Sequence, residues 1–272
     1  MQDLSGRRRV PSAWAPRPFR RMRLRALSRM TRMSDIDTGN GAGGDGFYAL
    51  VSGPVPSPFP QRHAEYLPLD EVVLRVVDLG AVRVPSGRVE ACDPFGDLGG
   101  GPVFDVEPGD YPVRVTIADV SKEHDGSHER EAYLSLVLRD VEAADVEEAR
   151  PVSGTGLIAV DAGLVAFVDH EAVATAMPED QTTWYDDVIE TGESDCWFSL
   201  LYSSEHYREG AANIVMPLAR AGENVVMSGA GWGDGVYPVM LTRDADGLPH
   251  GLHIDLGMFA WDDEEDDDED ER

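Results

Sequence analysis

One twelve-residue segment, residues 228–239, constrains the fold of this chain more than any other. It reads SGAGWGDGVYPV and holds four glycines, a tryptophan, an aspartate and a Tyr-Pro pair. Such a density of glycine indicates positive φ angles, close backbone packing, or both. Apolar runs lead into it at 224–227 and out of it at 239–241. We therefore predict a strand, a tight glycine loop and a second strand, with Trp232 and Tyr237 closing over the loop.

The rest of the body has the apolar alternation and frequent turns of a β protein. Residues 111–120 and 132–138 have strong β propensity and predict a long hairpin with a polar tip. A Pro-Ser-Gly turn predicts another hairpin across 82–92, and Asp-Ala-Gly at 161–163 separates two further strands.

Helical patterns are fewer. Residues 142–150 predict one helical turn, and 171–191 and 194–208 have helical spacing. The sequence therefore predicts an α+β fold, with a mainly antiparallel β body and one or two covering helices.

Two segments of this body resemble each other. Gly109-Asp110-Tyr111-Pro112-Val113 is similar to Gly235-Val236-Tyr237-Pro238-Val239, and both lead into a strand. An internal duplication is one interpretation of this pattern, and chance similarity is the other.

The two ends of the chain differ sharply in charge from the body. Residues 1–33 hold ten arginines and one acid, whereas residues 262–272 hold ten acids and one arginine. Prolines at 54, 56, 58 and 60 predict an extended linker. We expect a disordered basic arm and Gly/Pro-rich linker over 1–66, a single β-rich domain over 67–261, and a disordered acidic tail over 262–272.

The charge of the body restricts its partners. Because the net charges of the two ends are equal and opposite, the whole formal net charge of -28 belongs to the residues between them. A body this acidic repels nucleic-acid phosphates and anionic membranes, so we expect a basic protein, a metal ion or an amine-bearing ligand as partner. The alternative is that the charge serves solubility alone.

The cellular location is predicted from the lack of targeting and membrane-spanning segments in the sequence. No apolar run approaches the roughly 20 residues that span a bilayer, and no signal peptide is legible. Cys92 and Cys196 are the two cysteines, and free thiols are the expected state. We expect a cytoplasmic location.

Five motifs follow one another through the body. They lie at residues 86–87 with 92–95, at 108–113, at 160–163 with Phe167 and Asp169, at 228–237, and at Asp255. In this order they resemble DUF4241, a bacterial family of unknown function. The family's central motif looks like Ser-Gly-Trp-Gly-Asp-Gly, whereas here Ala230 and Gly231 precede the tryptophan. The resemblance implies no activity, because the family has no assigned function.

Aspartates at strand ends and glycine turns are the first candidate site residues. They are Asp93, Asp161, Asp169, Asp234 and Asp255. If they converge, they form an all-oxygen site suited to Mg²⁺ or Ca²⁺. The alternative is that each accepts nearby backbone N–H groups, as aspartates in turns do.

Aromatic and histidine side chains complete the candidates. Tyr111, Trp232 and Tyr237 are further binding candidates, and His170 beside Asp169 is a possible ligand or base. His250 and His253 are three apart, which in a regular strand places them on opposite faces and argues against a metal site. No Gly-Lys-Ser/Thr follows either glycine-rich stretch, which argues against a phosphate loop.

Two functional hypotheses follow. The first is a binding or regulatory module, including an immunity-type role, that holds a cationic or polar partner with the Trp232–Tyr237 loop. The second is a metal-dependent hydrolase that uses the aspartates with Mg²⁺ or Ca²⁺. They differ in whether at least three of those aspartates meet in one cleft.

Overall fold

The computed structural model describes residues 46–59, 67–68 and 70–260. These residues belong to one compact unit, Gly39–Arg272. A first unit, Met1–Thr38, lies outside the described residues, as do the predicted acidic tail and most of the predicted basic arm.

The described residues form thirteen strands and a few short helices. The strands are β1 (Gly53–Pro56), β2 (Glu71–Val84), β3 (Arg88–Cys92), β4 (Val103–Asp105), β5 (Gly109–Asp119), β6 (Glu129–Val137), β7 (Asp145–Glu148), β8 (Leu157–Val160), β9 (Leu164–Asp169), β10 (Ala211–Val215), β11 (Asn224–Gly229), β12 (Gly235–Arg243) and β13 (Pro249–Asp255). The helices are α1 (His170–Ala176), a 3₁₀ turn (Gln181–Thr183), a π-helical turn (Tyr185–Ile189) and α2 (Trp197–Leu201).

The strands form two sheets in which every described pairing is antiparallel. The larger sheet has the order β1-β2-β5-β6-β13-β12-β7, and β8 also pairs with β12. The smaller sheet has the order β10-β11-β9-β3-β4. The prediction of a mainly antiparallel β body is confirmed, and the long β5–β6 hairpin is present. The helical part is small.

A central apolar core contains residues from both sheets. Leu79 and Val82 of β2 belong to the same cluster as Phe167 of β9 and Val226 of β11. In β9 every residue is buried, because alternate side chains belong to different clusters. Val165 and Phe167 belong to the central core, whereas neighbouring residues pack in a second cluster with the helices. Burial on both faces explains the continuous apolar run in this strand.

The second apolar cluster joins the smaller sheet to the helical segment, residues 170–202, which runs from α1 to the C-cap of α2. It contains Ala166 and Met227 from the sheet together with Val173, Trp184 and Trp197 from the helical segment. The helices therefore cover one face of the smaller sheet. A third cluster is associated with the larger sheet and includes Leu74 and Tyr133.

The predicted hairpin across 82–92 is wrong. Strand β2 ends at Val84 and pairs with β1 and β5, whereas β3 pairs with β4 and β9 in the other sheet. The turn therefore carries the chain from one sheet to the other. Gly87 has a φ of 76°, which permits the sharp reversal. The β8–β9 and β11–β12 connections also cross between sheets.

Two other segments differ from their local sequence patterns. Residues 145–148, within the predicted helical turn, form β7, because pairing with β12 supplies more hydrogen bonds than one isolated turn. Residues 53–56, within the predicted linker, form β1 and pair with β2. Proline is compatible with this position because β1 is an edge strand, where a missing N–H can face solvent.

No helix in the described part of the chain is long and apolar enough to cross a membrane.

Candidate functional site

Asp93 is a buried structural connector. Its Oδ1 accepts from the N–H groups of Phe95 and Gly96 at 3.0 and 3.1 Å. Its Oδ2 accepts from the N–H groups of Asp161 and Ala162 at 2.9 and 2.8 Å. The carboxylate thereby joins the loop after β3 to the β8–β9 turn. This is the turn-building role that was the alternative to metal ligation.

Asp169 has a similar role at the start of α1. One carboxylate oxygen accepts from Ala172 N at 2.9 Å and caps the helix. The other accepts from Ser86 N at 2.8 Å and holds the turn between β2 and β3. Both oxygens therefore have backbone donors.

The remaining aspartates have different surroundings. Asp161 and Asp234 are exposed, and partial desolvation together with the nearby Asp161 carboxylate raises the pKa of Asp234. Asp255 ends β13, accepts from Gly257 N at 2.9 Å, and has a pKa raised to about 6 by burial. Three of the five aspartates thus interact electrostatically, namely Asp93, Asp161 and Asp234.

This grouping does not form a metal centre. Across residues 46–59, 67–68 and 70–260, no group of three or more His, Cys, Asp or Glu side chains could hold a metal ion. The oxygen site on which the metal-dependent hydrolase hypothesis rests has no support there.

The glycine loop between β11 and β12 is closed by Tyr237, one of the two aromatic residues predicted to cover it. The Tyr237 hydroxyl lies 2.8 Å from the Gly233 carbonyl and 3.2 Å from that of Ala230. Trp232 instead remains 40% exposed, with the Arg130 guanidinium 5.4 Å from its ring centroid. The prediction that Trp232 closes over the loop is therefore wrong. Tyr111 is half-buried, and its hydroxyl donates to the Glu107 carbonyl.

A cavity of about 390 Å³ lies beside the start of α1. Its walls come from the loop after β3, from α1, and from the segment that follows α1. The main lining residues are Gly99, His170, Glu171, Val173, Glu179 and Trp184. Because Asp169 caps α1, His170 is the first residue of that helix and lies at the cavity wall.

His170 is held by a buried carboxylate. Its Nδ1 lies 2.7 Å from Oε2 of Glu90, a residue of β3 with no exposed surface. The other oxygen of Glu90 accepts from Gly99 N at 2.8 Å and Gly101 N at 3.2 Å. A buried carboxylate is costly unless such partners compensate it. Glu90 thus connects β3, the Gly-Gly-Gly stretch at 99–101 and α1.

The glycine at position 101 is required by close packing. A Cβ there would lie 2.2 Å from the Ala91 carbonyl oxygen, so any side chain would displace the loop from β3. Gly99 has a φ of 91°, in the region that favours glycine. The Gly-Gly-Gly stretch therefore lets two backbone N–H groups reach Glu90.

The pair with Glu90 determines what His170 offers to a ligand. A carboxylate accepts from Nδ1–H, which leaves Nε2 as the accepting nitrogen of the neutral ring. The His170 side chain is 34% exposed and lines the cavity. The neighbouring Cys92 is unsuited to nucleophilic attack, because burial and the Glu90 charge raise the pKa of its thiol.

The other walls combine negative charge with apolar surface. Glu171 and Glu179 contribute carboxylates, and Val173 contributes an aliphatic side chain. The Trp184 ring is fixed by an indole N–H that donates to the Pro178 carbonyl at 2.7 Å. Acceptors, carboxylates and an aromatic wall together suit a group that is positively charged and donates hydrogen bonds.

Sequence reasoning missed Glu90 and Trp184. The available signal for Glu90 was a charged residue within the apolar run Val89-Glu90-Ala91-Cys92, whose four residues are all buried. A buried Glu requires donors, but no local pattern identifies residues 99, 101 and 170 as those donors.

The prediction that His250 and His253 face opposite ways is also wrong. His250 Nδ1 and His253 Nε2 lie 2.7 and 2.8 Å from the same Thr242 Oγ1. The strand register shifts between Thr242 and Arg243, so one extra residue in β13 reverses the normal alternation.

The comparisons with known proteins give one match. The family model DUF4241, described as a protein of unknown function, matches residues 82–254. The matched span includes Glu90, His170 and every residue that lines the cavity. No curated protein and no solved structure matches the chain.

Proposed function

This chain belongs to the DUF4241 family of unknown function, and from its geometry we propose that it is a binding protein whose cavity beside His170 holds a positively charged group. The proposal keeps the cationic partner that the sequence predicts. It moves the contact from the Trp232–Tyr237 loop to the His170 cavity. A regulatory, immunity-type role in the cytoplasm, with a basic protein as partner, is one form of this function.

The observation that carries the proposal is the Glu90–His170 pair at the cavity wall. Glu90 holds Nδ1 at 2.7 Å, so a neutral His170 presents an acceptor. The orientation is fixed before a ligand arrives, because Glu90 is itself held by two backbone N–H groups. Less side-chain entropy is then lost on binding.

Charge and shape specify the ligand further. The carboxylates of Glu171 and Glu179 attract an ammonium or guanidinium group, and Trp184 contributes an aromatic wall of the kind that suits a cation. Val173 and Pro178 provide apolar contacts for the aliphatic part of such a ligand. An anion would meet the same carboxylates and be repelled.

Proton transfer by His170 is the second candidate, because enzymes also hold a general base through a carboxylate. The cavity walls favour binding over this alternative. The residues that line the described cavity include no serine, threonine or cysteine to act as a nucleophile.

Calorimetric titration with agmatine, which carries an ammonium and a guanidinium group, tests the proposal. We expect binding to the full chain and about tenfold weaker binding to E171Q/E179Q, since each lost charge removes roughly 0.5–1 kcal/mol. The matched control is E142Q/E148Q, which removes two exposed charges outside the cavity lining. Absence of agmatine binding, or equal weakening in both double variants, would overturn the proposal.

A further inference from the structure

Three aromatic side chains are exposed on the helical segment that borders the cavity. Tyr185 is 43% exposed, Phe198 40% and Tyr202 52%. Tyr185 directly follows Trp184, which lines the cavity. Phe198 and Tyr202 lie one turn apart across the end of α2, with ring centroids 4.8 Å apart. We refer to Tyr185, Phe198 and Tyr202 as the aromatic surface.

The aromatic surface is held in place by buried residues of the same segment. Trp184, Val188, Trp197 and Leu201 are buried in the cluster shared with the smaller sheet. Each exposed ring directly follows one of these buried residues in the chain, so one side of the segment is anchored. Exposed aromatic groups on a fixed support are typical of interaction sites.

The surrounding charge is strongly negative. Residues 179–209 contain nine acids and one arginine, Arg208. Arg208 is already engaged, at 2.6 Å from Glu131 and 3.6 Å from Glu129. Within the described part of the chain, the ion pairs involve none of the nine acids. Among the described residues, these nine charges are therefore not paired with a cationic side chain, and a cationic partner would complement them.

These features select one kind of partner. Guanidinium groups stack on aromatic rings and pair with carboxylates, so an arginine-rich polypeptide complements both features. Nucleic acid and anionic membranes are repelled by the same charge. A second copy that used the same surface would place like charges against each other.

We propose that the cation bound beside His170 is a side chain of an arginine-rich polypeptide, and that the chain on either side of it docks on the aromatic surface. The proposal rests on the proposed function and names its partner. One basic side chain enters the cavity and others contact Tyr185, Phe198 and Tyr202. Since these contacts are linked, the polypeptide binds more tightly than a single cation.

The test compares two probes on the full chain at about 0.15 M salt, where nonspecific attraction is screened. Labelled nona-arginine is followed by fluorescence anisotropy, and agmatine is followed by calorimetry. We expect F198S/Y202S to bind nona-arginine about tenfold more weakly, as expected for two lost ring contacts, and to bind agmatine normally. V215S/L248S replaces two exposed apolar residues outside the aromatic surface and serves as the matched control.

Because F198S/Y202S could unfold α2, a second variant outside that helix tests the same proposal. D186N/D187N keeps all three rings and removes two exposed charges beside Tyr185, and it should also weaken nona-arginine binding more than agmatine binding. Equal affinity for the two probes, or equal effects of F198S/Y202S and V215S/L248S, overturns the polypeptide partner and leaves the cavity proposal intact. Failure of agmatine to bind the parent chain overturns the cavity proposal itself.

Discussion

Nδ1 of His170 lies 2.7 Å from Oε2 of Glu90, whose side chain is entirely buried. The two residues are 80 positions apart in the chain. Their contact connects the first residue of α1 to β3, and the remaining oxygen of Glu90 accepts from the backbone N–H groups of Gly99 and Gly101. One carboxylate therefore shapes two walls of the cavity.

Replacing Glu90 with Gln is expected to destabilise the fold by about 3 kcal/mol, as breaking a buried charged network does. Gln has the same shape but no charge, and its NH₂ group must replace one of the two accepting oxygens. It then faces either the Gly99 and Gly101 N–H groups or Nδ1 of His170, which would have to give up its proton. Urea unfolding measures the change, and E171Q, at an exposed position, should stay within about 0.5 kcal/mol of the parent. An E90Q variant as stable as E171Q would refute this role for Glu90.

Asp93→Asn and Asp234→Asn should separate a structural aspartate from an exposed one. Asp93 accepts four backbone N–H groups, and the Asn NH₂ group cannot accept, so we expect a loss of about 2–4 kcal/mol. Asp234→Asn should leave stability unchanged or slightly higher, because partial desolvation and the Asp161 charge already disfavour ionised Asp234. Thermal unfolding of both variants checks this, and a reversed order would contradict it.

Trp232→Ala should cost about 1 kcal/mol or less, because its ring is 40% exposed. Trp184→Ala should cost about 3 kcal/mol or more, because it removes a buried ring that packs in the helical cluster. Chemical denaturation compares the two variants. Equal losses would mean that the Trp232 contact with Arg130 contributes more than its exposure suggests.

Stability should respond to acid through two opposing groups. Burial, aided by His250, lowers the pKa of His253 to about 3. The unfolded chain therefore binds this proton below a pH of about 6.5, and stability is lost toward pH 3 at up to about 1.4 kcal/mol per pH unit. Burial raises the pKa of Asp255 to about 6, so its protonation restores stability as the pH falls from 6 toward the unfolded value.

Asp255→Asn separates these two effects. The variant lacks the compensating protonation, so its stability should fall more steeply than that of the parent between pH 6 and 4. Urea unfolding at pH 7, 5.5 and 4.5 measures the slope, with the exposed Asp105→Asn as control. Parallel pH profiles for the parent and D255N would show that Asp255 is not protonated in this range.

Local patterns predicted which segments are strands better than which sheet they join. The β5–β6 hairpin follows from two strong strands and a polar tip. The turns after β2, β8 and β11 have equally clear glycine signals, yet each crosses to the other sheet. A turn sequence specifies a reversal of the backbone, whereas partner choice depends on the common core between the sheets.

The internal similarity corresponds to a shared local structure. The Tyr111 and Tyr237 hydroxyls each donate a hydrogen bond to the backbone carbonyl four residues earlier, that of Glu107 and that of Gly233. The hairpins that these strands begin lie side by side, in the order β5-β6-β13-β12. These features agree with a duplication, which stays one of the two interpretations of the similarity.

Most of the cavity could not be derived from the sequence. The sequence places His170 beside Asp169, but Asp169 caps α1 while the partner of His170 comes from β3. The β3–β9 pairing places Glu90 opposite Val168, and only this long-range register brings Glu90 to the start of α1. Spacing in the sequence carries no information about such a contact.

The most direct test of the central claim is a long-range ¹H–¹⁵N NMR titration of the histidine side chains with agmatine. The account predicts that Nδ1 of His170 stays protonated, that its Nε2 resonance shifts on binding, and that the buried His250 and His253 do not respond. Agmatine binding that leaves the His170 resonances unchanged would contradict the claim that the cation is held in this cavity.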